Sequence, residues 1–327
     1  MDKKRIPLIV GVTGHIALRP SDLPALRRSV KSELARLKAR CPHTPIAMLT
    51  SLAAGGDLLC ADVAREMGIP ILAALPMEPE IYRRDFTEAD ADRFDGHCAG
   101  AEWTGVVPPV ERVPERRSRS DAFRQAGIYV ATHSHVLLAL WDGSAPDEHA
   151  CGTSAAVDIA LRGNYRPQTG SPVHKGTAGV VVHILAPRDA SDRRAAGAVR
   201  YLGDEAALED ILSRTEAFNR LAAGGDGGGT LLSKEACGDD PVLGRMNALY
   251  HAASGLSRSF ARKYRRILAL LAAASTLLAF AFLMYDEVDA IWMILVCGAM
   301  LGAALLCRRY AVRSDCHCRY IEYRALA

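Results

Sequence analysis

Glycine, hydroxyl and carboxyl residues recur at three points in the first half of the chain, each directly after a short apolar run. The first point has the sequence GVTGH at residues 11–15, and the second has TSLAAGGD at residues 50–57. The third is WDG at residues 141–143, with Gly152 and Thr153 a short distance beyond. Glycine lets a backbone turn approach a phosphate, and the N–H groups that open a following helix attract an anion. The pattern therefore predicts a site for a phosphorylated ligand, unless these glycines only close turns.

The expected ligand-binding residues belong to these turns and to the segment that follows the next apolar run. They are Gly11, Thr13, Gly14, His15, Ser51, Gly55, Gly56, Asp57, Tyr82, Asp85, Asp142, Gly143, Gly152 and Thr153. Several have a plainer interpretation: His15 can close a strand-end turn without binding anything, and Asp57 can cap a helix. Tyr82 and Asp85 can likewise form a structural turn.

The elements that must position these residues follow from alternating apolar runs and amphipathic stretches. We predict strands at residues 8–12, 46–49, 71–75, 136–141 and 180–185, and a less apolar one at 103–107. Helices are expected at residues 23–38, 57–67, 122–132 and 153–161. This alternation is typical of a mostly parallel sheet between helices, in which the carboxyl ends of the strands meet at one edge. The three glycine turns would then face one crevice.

Two apolar runs near the C-terminus, residues 267–285 and 290–307, contain no Asp, Glu, Lys, Arg or His. Roughly 18 residues of helix cover most of a ~30 Å hydrocarbon core. Basic residues precede the first run and follow the second, so the positive-inside rule predicts a two-span hairpin with both termini in the cytoplasm. The acidic residues 286–289 would form an outside turn. A hairpin buried in a protein core is the alternative.

Between these regions we predict a variable segment with a glycine-rich linker at residues 191–240, followed by a connector helix at 241–266. The connector has one apolar face, which would pack on a partner, on a second copy or on its own soluble domain. Gly298 and Gly302 form a small-residue step in the second span, suited either to an oligomer or to packing within the hairpin. Residues 308–327 would be a cytoplasmic tail, and we expect the natural chain to continue beyond it.

Taken together, GVTGH, SLAAGGD, the Leu75–Pro76 pair followed by Tyr82, Asp85 and Phe86, and LALWDG before Gly152 and Thr153 resemble the SLOG superfamily. The resemblance covers about residues 7–188 and implies a Rossmann-like α/β domain at residues 1–190 that binds a nucleotide or a nucleotide-derived ligand. Several members of that superfamily are proposed sensors in bacterial conflict systems. The hairpin at 267–307 is similar to the two-helix SLATT membrane module, which implies a location in the bacterial inner membrane.

The departures from the superfamily concern chemistry. LOG-type phosphoribohydrolases of the superfamily use a glutamate in N-glycosidic cleavage, and the matching position here is Ala156. The resemblance therefore favours a sensor that signals to the membrane hairpin over a hydrolase, and a membrane-tethered scaffold is a further alternative. Cys151 stands where related proteins often have glycine, and Ile16 where they often have arginine. Arg83 or Arg84 could supply the missing charge or could simply be solvated.

The net charge and the cysteine content limit the kinds of partner and cofactor that we expect for this chain. A net charge of +3 is too small to indicate a nucleic-acid binder, so we expect no nucleic acid, and anionic lipid accounts for the excess beside the spans. The nine cysteines lack the spacing of a metal site, and we expect neither a metal nor an organic cofactor. The expected partners are a nucleotide-like small molecule, membrane lipid and further copies of the chain.

Overall fold

The computed structural model describes residues 4–108, 118–145, 152–162, 179–188, 192–222, 240–288, 292–314 and 316–326. The chain forms two compact units, of which the first spans Ile6–Ala217 and the second consists mainly of Phe218–Ala327. Cys151 and the glycine-rich linker at residues 224–229 lie outside the described residues.

The first unit is built on a seven-stranded sheet with the order β4-β3-β2-β1-β5-β6-β7. Neighbouring strands pair in parallel from β4 across to β6, and only β7 is antiparallel to its neighbour. The predicted mostly parallel α/β sheet is therefore confirmed, and β7 is an addition that falls in the segment we expected to be variable. The strands are β1 Leu8–Gly14, β2 Ile46–Thr50, β3 Ile71–Leu75, β4 Trp103–Val106, β5 Val136–Trp141, β6 Val180–Leu185 and β7 Val199–Leu202.

Helices flank the sheet on both faces. The helices of this region are α1 Leu23–Arg40, α2 Gly56–Glu66, α3 Pro79–Tyr82, α4 Glu88–Gly100, α5 Arg119–Thr132, α6 Thr153–Arg162 and α7 Glu205–Ala222. One apolar cluster joins α1 and α2 to side chains such as Val10 of β1, and a second joins α5 and α6 to side chains such as Ala139 of β5. Because both faces of the sheet are covered, the central strands are continuous apolar runs without alternation.

The strand order reverses beside β1. From β1 the chain adds β2, β3 and β4 on one side, and then returns to place β5 on the other side. In such sheets the loops leaving the two central strands diverge, which opens a crevice at the carboxyl ends of the strands. The sheet order thus puts the turns after β1 and β5 at the point where open α/β sheets bind ligands.

The second unit is helical and contains α8 Pro241–Val288, α9 Trp292–Ser314 and α10 Cys316–Leu326. The predicted connector and first span are one continuous helix of 48 residues. The predicted acidic turn is wrong for residues 286–288, which continue α8, and Asp289 lies outside the described residues.

Helices α8 and α9 are long and apolar enough to cross a membrane. The most apolar 18-residue window of α8 has a mean hydropathy of 2.5 and is 11% buried, and that of α9 has 1.5 and is 0% buried. An apolar surface left this exposed is unlike the core helix of a soluble protein, which is covered on all sides. The described residues thus agree with the two predicted spans.

The apolar face of the connector is covered in part by α10. The ring of Tyr323 lies 5.6 Å from that of Phe260, and the ring of His317 lies 4.7 Å from that of Tyr264. Ala253 on the same face is fully buried, whereas Met246 remains 58% exposed. Of the segment predicted to be a tail, residues 308–314 continue α9, and α10 folds back against α8.

Candidate functional site

A cavity of about 680 Å³ opens at the carboxyl ends of β1, β2 and β5. Its volume lies within the range of small-molecule sites, roughly 300–1,000 Å³. The structure brings together nine of the predicted site residues in its lining, namely Thr13, Gly14, His15, Ser51, Asp57, Tyr82, Asp85, Gly152 and Thr153. The predicted convergence of the three turns on one crevice therefore agrees with this geometry, while ligand binding stays a prediction.

Three predicted glycines shape the cavity without lining it. A Cβ atom on Gly55, whose φ is +77°, would lie 2.1 Å from the carbonyl oxygen of Ile16. The N–H of Gly56 donates to the carbonyl of His15 at 2.9 Å. A Cβ on Gly11 would lie 2.6 Å from Oγ of Ser134. We therefore assign Gly55 and Gly56 to backbone packing that holds the first two turns together, and Gly11 to close packing of β1 against Ser134, in place of the direct ligand contact expected from the sequence.

Asp57 lies on the cavity wall and is 2% exposed. Its Oδ2 accepts hydrogen bonds from the hydroxyls of Thr50 at 3.0 Å and Ser51 at 2.8 Å. Burial raises the pKa of the Asp57 carboxyl to about 6, although these hydrogen bonds lower it. The N-cap of α2 is Gly55, so the alternative that Asp57 caps this helix is wrong. Asp57 is a buried acid that can gain or lose a proton near neutral pH.

The turn between β2 and α2 is strained. Leu52 has a φ of +55°, a conformation that a side chain with a Cβ seldom adopts. It is fully buried, and its N–H donates to Oγ1 of Thr50 at 3.0 Å. Strained backbone of this kind persists only where the surroundings fix it, and it is concentrated at binding sites.

His15 and Asp142 link the first and third turns. The backbone N–H of Asp142 donates to Nε2 of His15 at 3.1 Å, and the Asp142 carboxylate lies 3.3 Å from the same nitrogen. Burial lowers the pKa of His15 and outweighs the carboxylate, which raises it. A neutral ring that accepts at Nε2 carries its proton on Nδ1. His15 thus lines the cavity with a ring whose neutral form is favoured, and Asp142 holds this ring from outside the lining. Gly143 also lies outside the lining, with a φ of +87°.

The first turn of α6 supplies backbone donors. The carbonyl of Gly152 accepts from the N–H of Ala156 at 3.1 Å, so the residues from Thr153 to Ala155 hold the first N–H groups of the helix. These residues line the cavity, and the exposed Arg188 lines it as well. Free N–H groups at a helix start, next to a cation, favour an anion such as phosphate.

Sequence reasoning missed Phe123 and Arg124 of α5 and Arg188 after β6, all of which line the cavity. No local motif marks them, because the tertiary fold alone brings them to this edge.

Nε of Arg83 lies 2.7 Å from Asp95, so this arginine has an acidic partner of its own on α4. Ala156 is 2% exposed and lines the cavity. Among the described residues no group of three or more His, Cys, Asp or Glu side chains could hold a metal ion.

No protein-family model matches the chain, and no curated protein matches it in sequence. The resemblance to the SLOG superfamily therefore rests on the motif residues alone. The structure establishes a Rossmann-like α/β unit with a cavity at the reversal of strand order, together with two helices able to span a membrane.

Proposed function

We propose that this protein is a membrane-anchored sensor that binds a nucleotide or nucleotide-derived messenger at the edge of its sheet and signals to a two-helix membrane module. The observation that carries the proposal is the division of the cavity lining into two chemically different parts. Helix N–H groups, Arg188 and His15 offer donors to a phosphate, whereas Tyr82, Phe86 and Phe123 offer an aromatic surface. A nucleotide presents these two kinds of group. A role in bacterial defence follows from the superfamily resemblance and belongs to the same proposal.

The membrane part of the proposal rests on the charges around the spans. The sequence has six Lys and Arg residues between positions 241 and 285 and no Asp or Glu. Arg262, Arg265 and Arg266 are exposed on α8, and so are Arg308 and Arg309 on α9. Basic residues grouped at one end of apolar helices are attracted to anionic lipid headgroups. We propose a bacterial inner-membrane location with this end of the hairpin, and both termini, in the cytoplasm.

Oligomerisation is supported by the small-residue step in α9. A Cβ added to Gly298 or Gly302 would meet none of the described atoms within 4 Å. The glycines are therefore not needed for contact between α8 and α9, which disfavours the alternative of packing within the hairpin. They leave an open strip on which a second copy can pack closely.

The test uses the full chain in lipid nanodiscs, heated with mono-, di- and cyclic nucleotides and NAD derivatives. A ligand at 100 times its Kd should add about 2.7 kcal/mol to the free energy of unfolding. The same compounds are then added to vesicles that contain the protein and an entrapped dye. A thermal shift together with a change in leakage supports a sensor. No shift with any compound contradicts nucleotide binding, and a shift without altered leakage contradicts signalling through the membrane.

One observation favours a second candidate, a hydrolase acting on nucleoside monophosphates. Asp57 is a carboxyl in the cavity wall with a pKa of about 6, so it could donate a proton to a leaving base. It would then take the role of the glutamate of LOG-type enzymes, whose position is occupied here by Ala156. Release of free base from nucleoside monophosphates, lost on Asp57→Asn, would establish this reaction. Stable nucleotide binding without base release would leave the sensor alone.

A further inference from the structure

The hydroxyl of Tyr82 is buried in the free protein without a hydrogen bond. Tyr82 is 2% exposed, and its Oη has no hydrogen-bond partner among the described residues. Native proteins seldom leave a buried hydroxyl unpaired, because it has given up water without a replacement. The side chain is also rigid, with its ring 4.9 Å from Phe86, 5.4 Å from Phe94 and 5.8 Å from Phe123.

Tyr82 differs in its position from His97, the other described histidine or tyrosine that has a buried polar atom without a hydrogen bond. His97 also has an unpaired nitrogen, Nδ1, but its Nε2 is bonded to Asp62 and the residue does not line the cavity. Tyr82 lines the cavity beside Phe86 and Phe123. The Tyr82 side chain thus belongs to the cavity wall, and its unpaired hydroxyl is buried within that wall.

The surroundings specify the group that would pair with this hydroxyl. Burial raises the pKa of Tyr82 well above its usual value, and the nearby carboxylates of Asp57 and Asp85 raise it further. The phenol therefore keeps its proton and acts as a donor. The same carboxylates would repel an anionic acceptor, so the phosphate of a ligand does not fit here. A neutral acceptor on a flat ring does, since the Phe86 and Phe123 rings provide an aromatic surface for it.

We propose that Tyr82, Phe86 and Phe123 form the subsite for a heteroaromatic base of the ligand, and that Tyr82 Oη–H donates a hydrogen bond to a neutral ring nitrogen or carbonyl oxygen of that base. This inference rests on the proposed function. The inference adds that the free protein has an unsatisfied hydroxyl ready to bind the base. Both the base and the phosphate would then contribute to the affinity for the ligand.

The test compares the full-length protein with Tyr82→Phe in nanodiscs, using AMP, GMP, CMP and UMP as probes and ribose 5-phosphate as a probe without a base. Since the free protein loses no hydrogen bond, we expect Tyr82→Phe to melt at the same temperature or higher. Affinity for the tightest-binding nucleotide should fall roughly ten- to a hundredfold, because its acceptor is left unpaired. Affinity for ribose 5-phosphate should not change. Tyr129→Phe is the matched control, since Tyr129 stacks on His133 at 4.0 Å outside the cavity lining.

The outcomes separate the two proposals. If the wild-type protein binds neither these nucleotides nor the di- and cyclic nucleotides and NAD derivatives of the first test, the proposed function fails. If it binds one and Tyr82→Phe binds that nucleotide equally well, the proposed function stands and the base subsite is wrong. An equal loss of affinity for ribose 5-phosphate also overturns the subsite, because the hydroxyl would then act on the sugar or the phosphate.

Discussion

The two units of the molecule treat their charges in opposite ways. Within Ile6–Ala217, carboxylates and cations meet across elements: Asp62 of α2 lies 2.8 Å from both Arg93 and His97 of α4. Within Phe218–Ala327, a cluster of basic residues lies in a stretch of sequence, positions 241–285, that has no Asp or Glu. The first unit pairs many of its charged side chains with one another, whereas the second exposes Arg262, Arg265 and Arg266 of α8. This difference matches the proposed function, in which the first unit binds a small molecule and the second lies at a lipid surface.

The largest expected effect tests how rigidly the first unit holds its turns. Gly55→Ala should cost roughly 3 kcal/mol or more of unfolding free energy, because the new Cβ would meet the Ile16 carbonyl at 2.1 Å in a backbone with positive φ. Gly68→Ala is the matched control, with a φ of +66° and open space around it, and should cost only about 1 kcal/mol. Chemical denaturation of both variants measures the difference. Equal costs would mean that the packing of the turns contributes nothing.

The next effect concerns pH and the buried carboxyl of Asp57. Its pKa is raised from 3.8 to about 6, so its contribution to stability is full below about pH 4 and is lost as the pH rises through 6. The free energy lost over this window is up to about 3 kcal/mol. We expect Asp57→Asn to remove this decline, measured as the difference between the two proteins in melting temperature from pH 4 to 7.

Asp121 provides the contrasting control for that measurement. Hydrogen bonds from Ser118 lower its pKa, so its contribution is present at neutral pH and is lost as the pH falls below about 4. Asp121→Asn should therefore differ from the wild type by a constant amount between pH 4 and 7, and the difference should shrink only below about pH 4. If Asp57→Asn and the wild type have parallel profiles, the Asp57 carboxyl is not perturbed by its burial.

A smaller effect probes the second unit. Arg262, Arg265 and Arg266 changed together to Gln should weaken the stabilisation that phosphatidylglycerol gives over phosphatidylcholine in nanodiscs, by up to about 1 kcal/mol per residue. The control changes Arg28, Lys31 and Lys38, which are exposed on α1 of the sheet unit, and should leave the lipid preference intact. Equal losses from both triple variants would break the comparison, since net charge alone would then explain the effect.

The smallest effect on the single chain is expected at Gly298 and Gly302. Because a Cβ at either position meets no described atom within 4 Å, changing both to Val should alter the stability of the monomer by less than about 0.5 kcal/mol. The fraction of chemically crosslinked oligomer in membranes should nevertheless fall. Ala304→Val serves as a control of similar bulk in the same helix. Unchanged crosslinking would show that copies of the chain do not meet through this strip.

The sheet was predictable because five of its strands are apolar runs that are largely buried, and the sixth, the more exposed β4, still has a short β-type sequence. Strand β7 was missed, since Arg200 interrupts a short run at the sheet edge, where one side of the strand has no partner. Helix α4 was missed because Asp and Glu fill much of it, and only Ala91, Phe94 and His97 are buried. Local sequence does not distinguish such a helix from a polar loop.

The candidate site was predictable where glycine turns mark it and not elsewhere. His15 and Ser51 lie in turns with strong backbone signals, and the alternation of elements predicts the parallel sheet at whose edge these turns meet. Phe123 and Arg124 approach the cavity from α5, whose sequence carries no binding motif. The packing role of Gly55 also escaped sequence reasoning, because it depends on the distance to a turn about forty residues earlier.

The 48-residue length of α8 has a mechanical consequence. At about 1.5 Å per residue the helix is about 72 Å long, and no proline follows its first residue, Pro241. It behaves as one rigid rod, and about half of its length, residues 241–266, precedes the first predicted span. A tilt of about 5° at one end displaces the other end by about 6 Å over the full length of the helix. In the proposed function, a small movement at the first turn of α8 would therefore move the membrane-spanning part of the same helix without any element unfolding.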